Sequence, residues 1–116
     1  MINNFGVGID IINIKKFQKK SFQENERFYR KIFTDEEIDY CLKFKEPYQH
    51  FAGKFAIKEA TIKSITRKID FSNIITYHNK KKPNVKILDK NFNFKVSVSH
   101  DGEYAIAIVI SEENHL

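Results

Sequence analysis

With 116 residues, 41% of them hydrophobic and 30% charged, the chain suits one globular domain spanning 1–116 and excludes global disorder. A chain of this length buries roughly 65% of its unfolded surface. The net charge of +5 points to an acidic partner: nucleic acid, an anionic membrane, an acidic protein or a phosphorylated ligand. Lysine outnumbers arginine amid plentiful Asn, Ile and Phe, a bias that an AT-rich genome also produces, so lysine count alone selects none of these.

At the N-terminus, Met1-Ile2-Asn3-Asn4-Phe5 has neither the basic start nor the long apolar stretch of a signal peptide. After Gly6 and Gly8, the β-branched residues Ile9, Ile11, Ile12 and Ile14 predict a strand. The basic stretch 15–22 predicts a short helix with Phe17 and Phe22 turned inward. Residues 24–32, carrying Arg27, Arg30 and Lys31, predict a further helical turn or two. Thr34 followed three residues later by Glu37 matches a capping box. The helix it opens is expected to reach about Lys43, with Ile38 and Leu42 on one face. It holds Cys41, the single cysteine, which has no internal disulfide partner and reads as a small buried residue in a reducing compartment.

Pro47 marks a boundary, since proline has no amide proton and disfavours helix at the residue before it. From 48 to about 67 the pattern is helical: Phe51, Phe55, Ile62 and Ile65 share a broad face, and Ala52, Ala56, Glu59 and Lys63 another. Gly53 inside this helix costs about 1 kcal/mol relative to alanine, so close approach of another element or a ligand is expected there. The C-terminal half is strand-like. Residues 74–78 and 85–88 flank a turn at 79–83, and Phe94, Val96 and Val98 alternate with Lys95, Ser97 and Ser99. Asp101-Gly102 signals a hairpin, with 104–110 as the returning strand. That run is the longest apolar one and far too short to span a bilayer, so a soluble cytoplasmic protein is expected. The architecture is α+β, a long central helix packed on a small, mostly antiparallel sheet.

The stretch Phe55-Ala56-Ile57-Lys58-Glu59-Ala60-Thr61-Ile62-Lys63 sets a carboxylate and an ammonium one helical turn apart, at Glu59 and Lys63. Read alone, they form a solvated ion pair worth about 0.3–0.5 kcal/mol. The small residues Ala52, Gly53 and Ala56, however, leave room for something to lie against this helix. Asp10 interrupts an apolar strand, either as a turn residue bonded to backbone amides or as a partly buried carboxylate that binds a metal. His100, before the Asp101-Gly102 turn, reads by itself as structural. Lys80-Lys81-Lys82 reads as a solvated loop or, with Lys45 and Lys54, as a holder of phosphates. His50, His78 and His115 have no spacing that resembles a zinc site.

Val7-Gly8-Ile9-Asp10 together with 55–63 resembles the paired signature of the phosphopantetheinyl transferases: glycine-hydrophobic-aspartate, then aromatic-small-x-Lys-Glu-small-x-x-Lys. The order, separation and chain length are similar to those of the holo-acyl-carrier-protein synthase branch. Lys82-Pro83 and Val96-Ser97-Val98-Ser99-His100 extend the resemblance over most of the chain. That family moves the 4′-phosphopantetheine arm of coenzyme A to a serine of an apo acyl carrier protein, releasing adenosine 3′,5′-bisphosphate. The resemblance implies the 4′-phosphopantetheinyl transferase-like fold, a homotrimer with active sites between subunits, and Mg²⁺ held by Asp10 and Glu59. A hard cation that prefers oxygen ligands, keeps waters and binds substrate phosphate fits two carboxylates.

By the same resemblance Asp10, Glu59 and Lys63 are catalytic. Lys63 lies near the pyrophosphate. Glu59 takes the proton of the carrier serine directly or through a metal-bound water that it orients; both routes stay open. Lys45, Lys54, Lys63, Lys82, Pro83 and His100 match positions that contact coenzyme A. Lys54 stands where the family usually has arginine, which keeps the charge and loses the bidentate fork. Lys16, Lys19, Lys20 and Arg27 are the implied contacts to the acidic carrier protein, where complementary charge speeds encounter more than it tightens binding. Neither nucleic acid nor a membrane is an implied partner.

The chain departs from the family pattern at two places. Where Gly-Thr-Gly often follows the catalytic helix, this sequence has Thr66-Arg67-Lys68, so the helix continues or the loop takes another shape. Where glycine often precedes Lys-Pro, it has Lys81. A competing reading is a small basic module bound to RNA or a ribosome, which the charge permits and no RNA-binding signature supports. Another is the family fold with activity lost through the altered loops, against which stand the intact Asp10, Glu59 and Lys63.

Overall fold

The computed structural model describes residues 4–114; the targeting reading of 1–3 and the reading of His115 lie outside them. In chain order the elements are β1 (Phe5–Asn13), α1 (Lys15–Gln18), α2 (Glu26–Ile32), α3 (Asp35–Leu42), α4 (Pro47–Ile65), a 3₁₀ turn (Phe71–Asn73), β2 (Ile75–Asn79), β3 (Lys82–Lys86), β4 (Phe92–Asp101) and β5 (Tyr104–Glu113). Strands β1, β5 and β4, in that order, form a three-stranded antiparallel sheet, and β2 pairs with β3 in a separate antiparallel hairpin. The α+β expectation holds, with the one small sheet divided into two.

The sheet packs on α4 through β1 and β5. Ala52, Ala56 and Ala60 of the helix and Ala105, Ala107 and Val109 of β5 are all buried. A Cβ at Gly8 would fall 1.9 Å from the Ala60 carbonyl oxygen, and one at Gly6 1.8 Å from that of Ser64. Only glycine permits this backbone contact between β1 and α4. The room left by Ala52 and Ala56 is therefore taken by the protein's own sheet, which corrects the expectation of an open helix face. At Gly53 the approaching element is β4, since a Cβ there would meet His100 Nε2 at 3.1 Å.

An aromatic core joins α4 to the helices before it. The rings of Tyr29 and Phe33 lie 4.7 and 5.0 Å from that of Phe51, and Phe17 and Phe22 are buried as expected. The Tyr29 hydroxyl donates to the Lys20 carbonyl at 2.6 Å, satisfying its buried polar end. The capping box at α3 is present: Thr34 Oγ1 accepts from the Glu37 amide, and Glu37 Oε1 accepts from the Thr34 amide. Ile38 is buried but Leu42 is exposed, because Cys41 takes the inner position at the end of this helix. Burial pushes the Cys41 thiol up to about 12, so it packs as an inert apolar group.

Glu37 also reaches inward. Its Oε1 accepts from Lys58 Nζ at 2.8 Å, and its Oε2 accepts from the Thr76 amide and hydroxyl. Lys58, fully buried, gives its other protons to the Ile32 and Phe71 carbonyls at 2.8 Å each. One ion pair thus ties α2, α3, the 3₁₀ turn and β2 to α4.

Helix α4 stops at Ile65 rather than near Arg67, because Thr66 adopts left-handed backbone at φ 52° and ψ 41°. The loop after the helix therefore takes another shape without glycine. That shape is costly for a β-branched residue. Thr66→Gly is expected to stabilise the protein by about 0.5–1 kcal/mol, read as a higher urea midpoint at unchanged m-value. Lys80 and Lys81 turn the second hairpin at φ 52° and 68°, so Lys81 itself adopts the backbone where the family favours glycine. The turn is shorter than expected. Pro83 already lies in β3, opposite His78, and Leu88 falls outside the strand and is exposed.

Among the described residues no helix is long and apolar enough to cross a membrane.

Candidate active site

The close contact of β1 with α4 brings Asp10 to Lys63 and Glu59. Asp10 lies within β1 and not in a turn. Its Oδ1 accepts from Lys63 Nζ at 3.2 Å, and the same ammonium donates to the Ile9 carbonyl at 3.0 Å. Lys63 is thus paired across to the strand, which corrects the ion pair with Glu59 one turn away. Asp10 Oδ2 is buried and has no hydrogen-bond partner. An ionised oxygen in that state is unfavourable unless a cation joins it. Burial, and after it the neighbouring Asp10 carboxylate, holds the Glu59 carboxyl above the usual range.

Two crowded carboxylates, one with an orphaned oxygen, are a donor set for a hard divalent cation. Among the described residues no cluster of three or more His, Cys, Asp or Glu side chains gathers to hold a metal. The protein therefore offers two carboxylates, leaving the other positions to water and a ligand's phosphate, as Mg²⁺ prefers. The residues present fit that ion.

Lys54, Pro83 and His100 meet in a second cleft, with Tyr40, His50 and His78. Lys54 is buried, donates to Thr76 Oγ1 at 3.0 Å and lies 4.7 Å from the centre of the Tyr40 ring. Burial lowers its proton affinity. Because the Thr76 hydroxyl donates onward to Glu37, the buried ion pair fixes the position of Lys54. His100 Nε2 donates to the Gln49 carbonyl at 3.1 Å. Lys45, on the α3–α4 connection, and Lys82, beside Pro83, are exposed and do not line this cleft.

The two sites lie on opposite faces of α4. Nine residues separate Lys54 from Lys63, which at 100° per residue turns them to opposite faces of α4, about 14 Å apart along it. In the sheet, Asp10 is on the β1 edge and His100 on the β4 edge.

A third surface combines charge with an apolar cavity of about 450 Å³. Lys16 and Lys20 border it, and Phe17, Phe28, Phe55 and Phe71 line it. Lys20 Nζ sits 4.2 Å from the centre of the Phe28 ring. Lys19 and Arg27 are exposed nearby in sequence, at the end of α1 and on α2.

Residues 6–109 match the family described as the 4′-phosphopantetheinyl transferase superfamily. The chain belongs to that superfamily. Asp10, Glu59, Lys63 and the second cleft all fall within the matched span. Over 108 residues the chain is 36% identical to the holo-[acyl-carrier-protein] synthase of Thermodesulfovibrio yellowstonii, covering 90% of this chain and 96% of that one. It is also 36% identical over 118 residues to the synthase of Chlamydia trachomatis, covering 93% and 99%. Among solved structures it is similar to the Bacillus anthracis holo-(acyl-carrier-protein) synthase in complex with CoA (3′,5′-ADP), with a TM-score of 0.81, 28% identity and coverage of 94% and 96%. The Helicobacter pylori synthase in complex with coenzyme A matches with a TM-score of 0.80, 29% identity and coverage of 91% and 99%. Family and fold are those the paired motifs predicted.

Sequence reasoning overlooked Glu37, Lys58 and Thr76, which position the second cleft. A signal for Lys58 was present: it lies within the stripe Phe51, Phe55, Ile62 and Ile65, where a lysine needs a buried partner.

Proposed function

We infer that the protein is a holo-acyl-carrier-protein synthase, transferring 4′-phosphopantetheine from coenzyme A to a serine of an apo acyl carrier protein. The observation that carries this reading is the unpartnered Asp10 oxygen beside Glu59, set in a chain whose relatives are such synthases. Nothing comparable favours the RNA-binding reading or a loss of activity.

In this proposal Asp10 and Glu59 hold Mg²⁺, which when bound polarises the pyrophosphate and offsets charge on the departing bisphosphate. Lys63, anchored to Asp10 and the Ile9 carbonyl, presents a fixed ammonium to the same phosphates. The serine oxygen attacks the phosphorus next to the pantetheine arm, and the pyrophosphate P–O bond breaks. Adenosine 3′,5′-bisphosphate leaves. Glu59 takes the serine proton, directly or through a water that it orients. Lys54, Pro83 and His100 receive the nucleotide end of coenzyme A, with the exposed Lys45 and Lys82 as outer contacts. The acidic carrier docks on Lys16, Lys19, Lys20 and Arg27 beside the phenylalanine-lined cavity.

Because the two sets of residues face opposite sides of α4, Asp10, Glu59 and Lys63 of one subunit act in this reading with the Lys54 cleft of the next. The outer sheet face supports a homotrimer. Val7, Ile9 and Ile11 pair across with Ile110, Ile108 and Ile106, and all are exposed, at 36–64%. Large side chains face out and small ones in, an arrangement that suits burial against further copies. Ile108→Glu is expected to convert the assembly to monomers in light scattering and to remove transfer; a trimer that persists would contradict this interface. A cytoplasmic site of action fits the lone buried thiol.

Mass spectrometry of apo carrier protein after incubation tests the activity. A gain of phosphopantetheine that requires coenzyme A is expected. No gain with any divalent metal would overturn the enzyme reading.

A further inference from the structure

We propose that His50 and His78 are ligand residues of the second cleft, closing with Lys54 on a phosphate of the coenzyme A nucleotide and becoming protonated as it enters. This inference rests on the coenzyme A reading above. The cleft offers about 50 Å³ of free space. One water-sized group needs about 10–15 Å³ of such space, so the cleft takes about four, the size of a phosphate rather than of a whole nucleotide.

The walls suit an anion. Lys54, with one proton given to Thr76, keeps two donors for a ligand. The His78 ring stacks on Tyr40 at 4.7 Å, with Nε2 3.4 Å from the Tyr40 hydroxyl. The His50 ring stacks on Phe44 at 3.7 Å and stands 6.5 Å from that of His100. These stacks fix both imidazoles at the cleft without using up their donor capacity. The other ionisable groups facing them are Tyr40, Glu36 and Glu37 on α3, Tyr77 on β2 and His100 on β4; Glu37 is committed to Lys58 and Thr76.

In the free protein burial comes first, then His100, Lys54 and His78, in lowering the proton affinity of His50; burial and then Lys54 lower that of His78. Both are therefore neutral near pH 7. A phosphate dianion reverses the balance, because an opposite charge within a few ångströms favours the charged imidazole. Proton uptake on binding follows, and affinity rises as pH falls.

Calorimetric titration of the full chain with adenosine 3′,5′-bisphosphate, in buffers of differing ionisation enthalpy, tests this. Near pH 7 net proton uptake is expected. The double variant His50→Phe/His78→Phe keeps both ring stacks. It is expected to bind about tenfold more weakly than the natural chain near pH 6 and within about twofold of it near pH 8. The phosphate's own ionisation near pH 6 is common to both chains and cancels in the comparison. Binding with no proton uptake, or equal affinities near pH 6, overturns the histidine assignment and leaves the coenzyme A reading standing. No binding of the bisphosphate or of coenzyme A overturns both. Should the double variant fail to fold, the single variants His50→Phe and His78→Phe replace it: each is expected to lower the proton uptake, and uptake unchanged in both overturns the assignment.

Discussion

Replacing Glu59 by glutamine is expected to lower phosphopantetheine transfer by about a thousandfold while making the metal-free protein more heat-stable. The two effects share one cause. Burial and the neighbouring Asp10 make the ionised Glu59 carboxylate unfavourable in the folded state, and its proton affinity rises. The folded state therefore binds a proton that the unfolded chain has released. Stability falls as pH rises from the unfolded value, 4.5, through the raised folded one, and the penalty persists at neutral pH. Glutamine, of similar shape and uncharged, removes it. Added Mg²⁺ should raise the melting temperature of the natural chain and leave that of Glu59→Gln unmoved. A variant that lost activity by misfolding would melt earlier, so calorimetric scans at pH 7 with and without metal separate the explanations.

The largest loss of stability is expected from Lys58→Ala. Its ammonium makes three hydrogen bonds of 2.8 Å in a fully buried position, one of them to Glu37. Removing it strands the Glu37 carboxylate and two backbone carbonyls away from water. Breaking a buried pair from one side costs about 3–5 kcal/mol. For a domain of this size that is a fall of more than about 10 °C in melting temperature. The double variant Glu37→Gln/Lys58→Met should recover much of the loss, since neutral groups of similar volume leave no stranded charge. A loss below about 1 kcal/mol in Lys58→Ala, measured by urea unfolding, would contradict the role given to this pair. Because Glu37 holds Thr76 and Thr76 holds Lys54, weaker coenzyme A binding should accompany the change.

Local features of the sequence translated well into structure. The Thr34–Glu37 capping box and the alternation from Phe94 to Ser99 each reside in a few consecutive residues and stand where expected; the hairpin signalled by Asp101-Gly102 is present, with its loop one residue later at Gly102-Glu103. The paired motifs identified the family, and their residues meet where β1 crosses α4. Gly8 lets the strand touch the helix, and Asp10, two residues on, then meets Lys63.

What escaped was long-range. The spacing of Glu59 and Lys63 suggested a local ion pair, but the partner of Lys63 comes from a strand 53 residues away in sequence. The alanines of α4 looked like an open floor because nothing local says that β5 presents alanines of its own to them. The inverted faces of β1 and β5, large residues outward and glycine or alanine inward, mislead any reading that assigns large apolar residues to the core of a single chain. Turn length also escaped, since Lys80 and Lys81 adopt a backbone that their side chains disfavour.

In the proposed function Asp10 and Glu59 jointly serve a metal-dependent transfer. Its most direct test is the rate of phosphopantetheine addition to apo carrier protein, at saturating coenzyme A, as a function of Mg²⁺ concentration for the natural chain, Asp10→Asn and Glu59→Gln. The natural chain should show a saturable rise with Mg²⁺ that chelation abolishes, and both variants should stay near background while remaining folded. Metal-independent transfer by the natural chain, or a full rate in both variants, would contradict it.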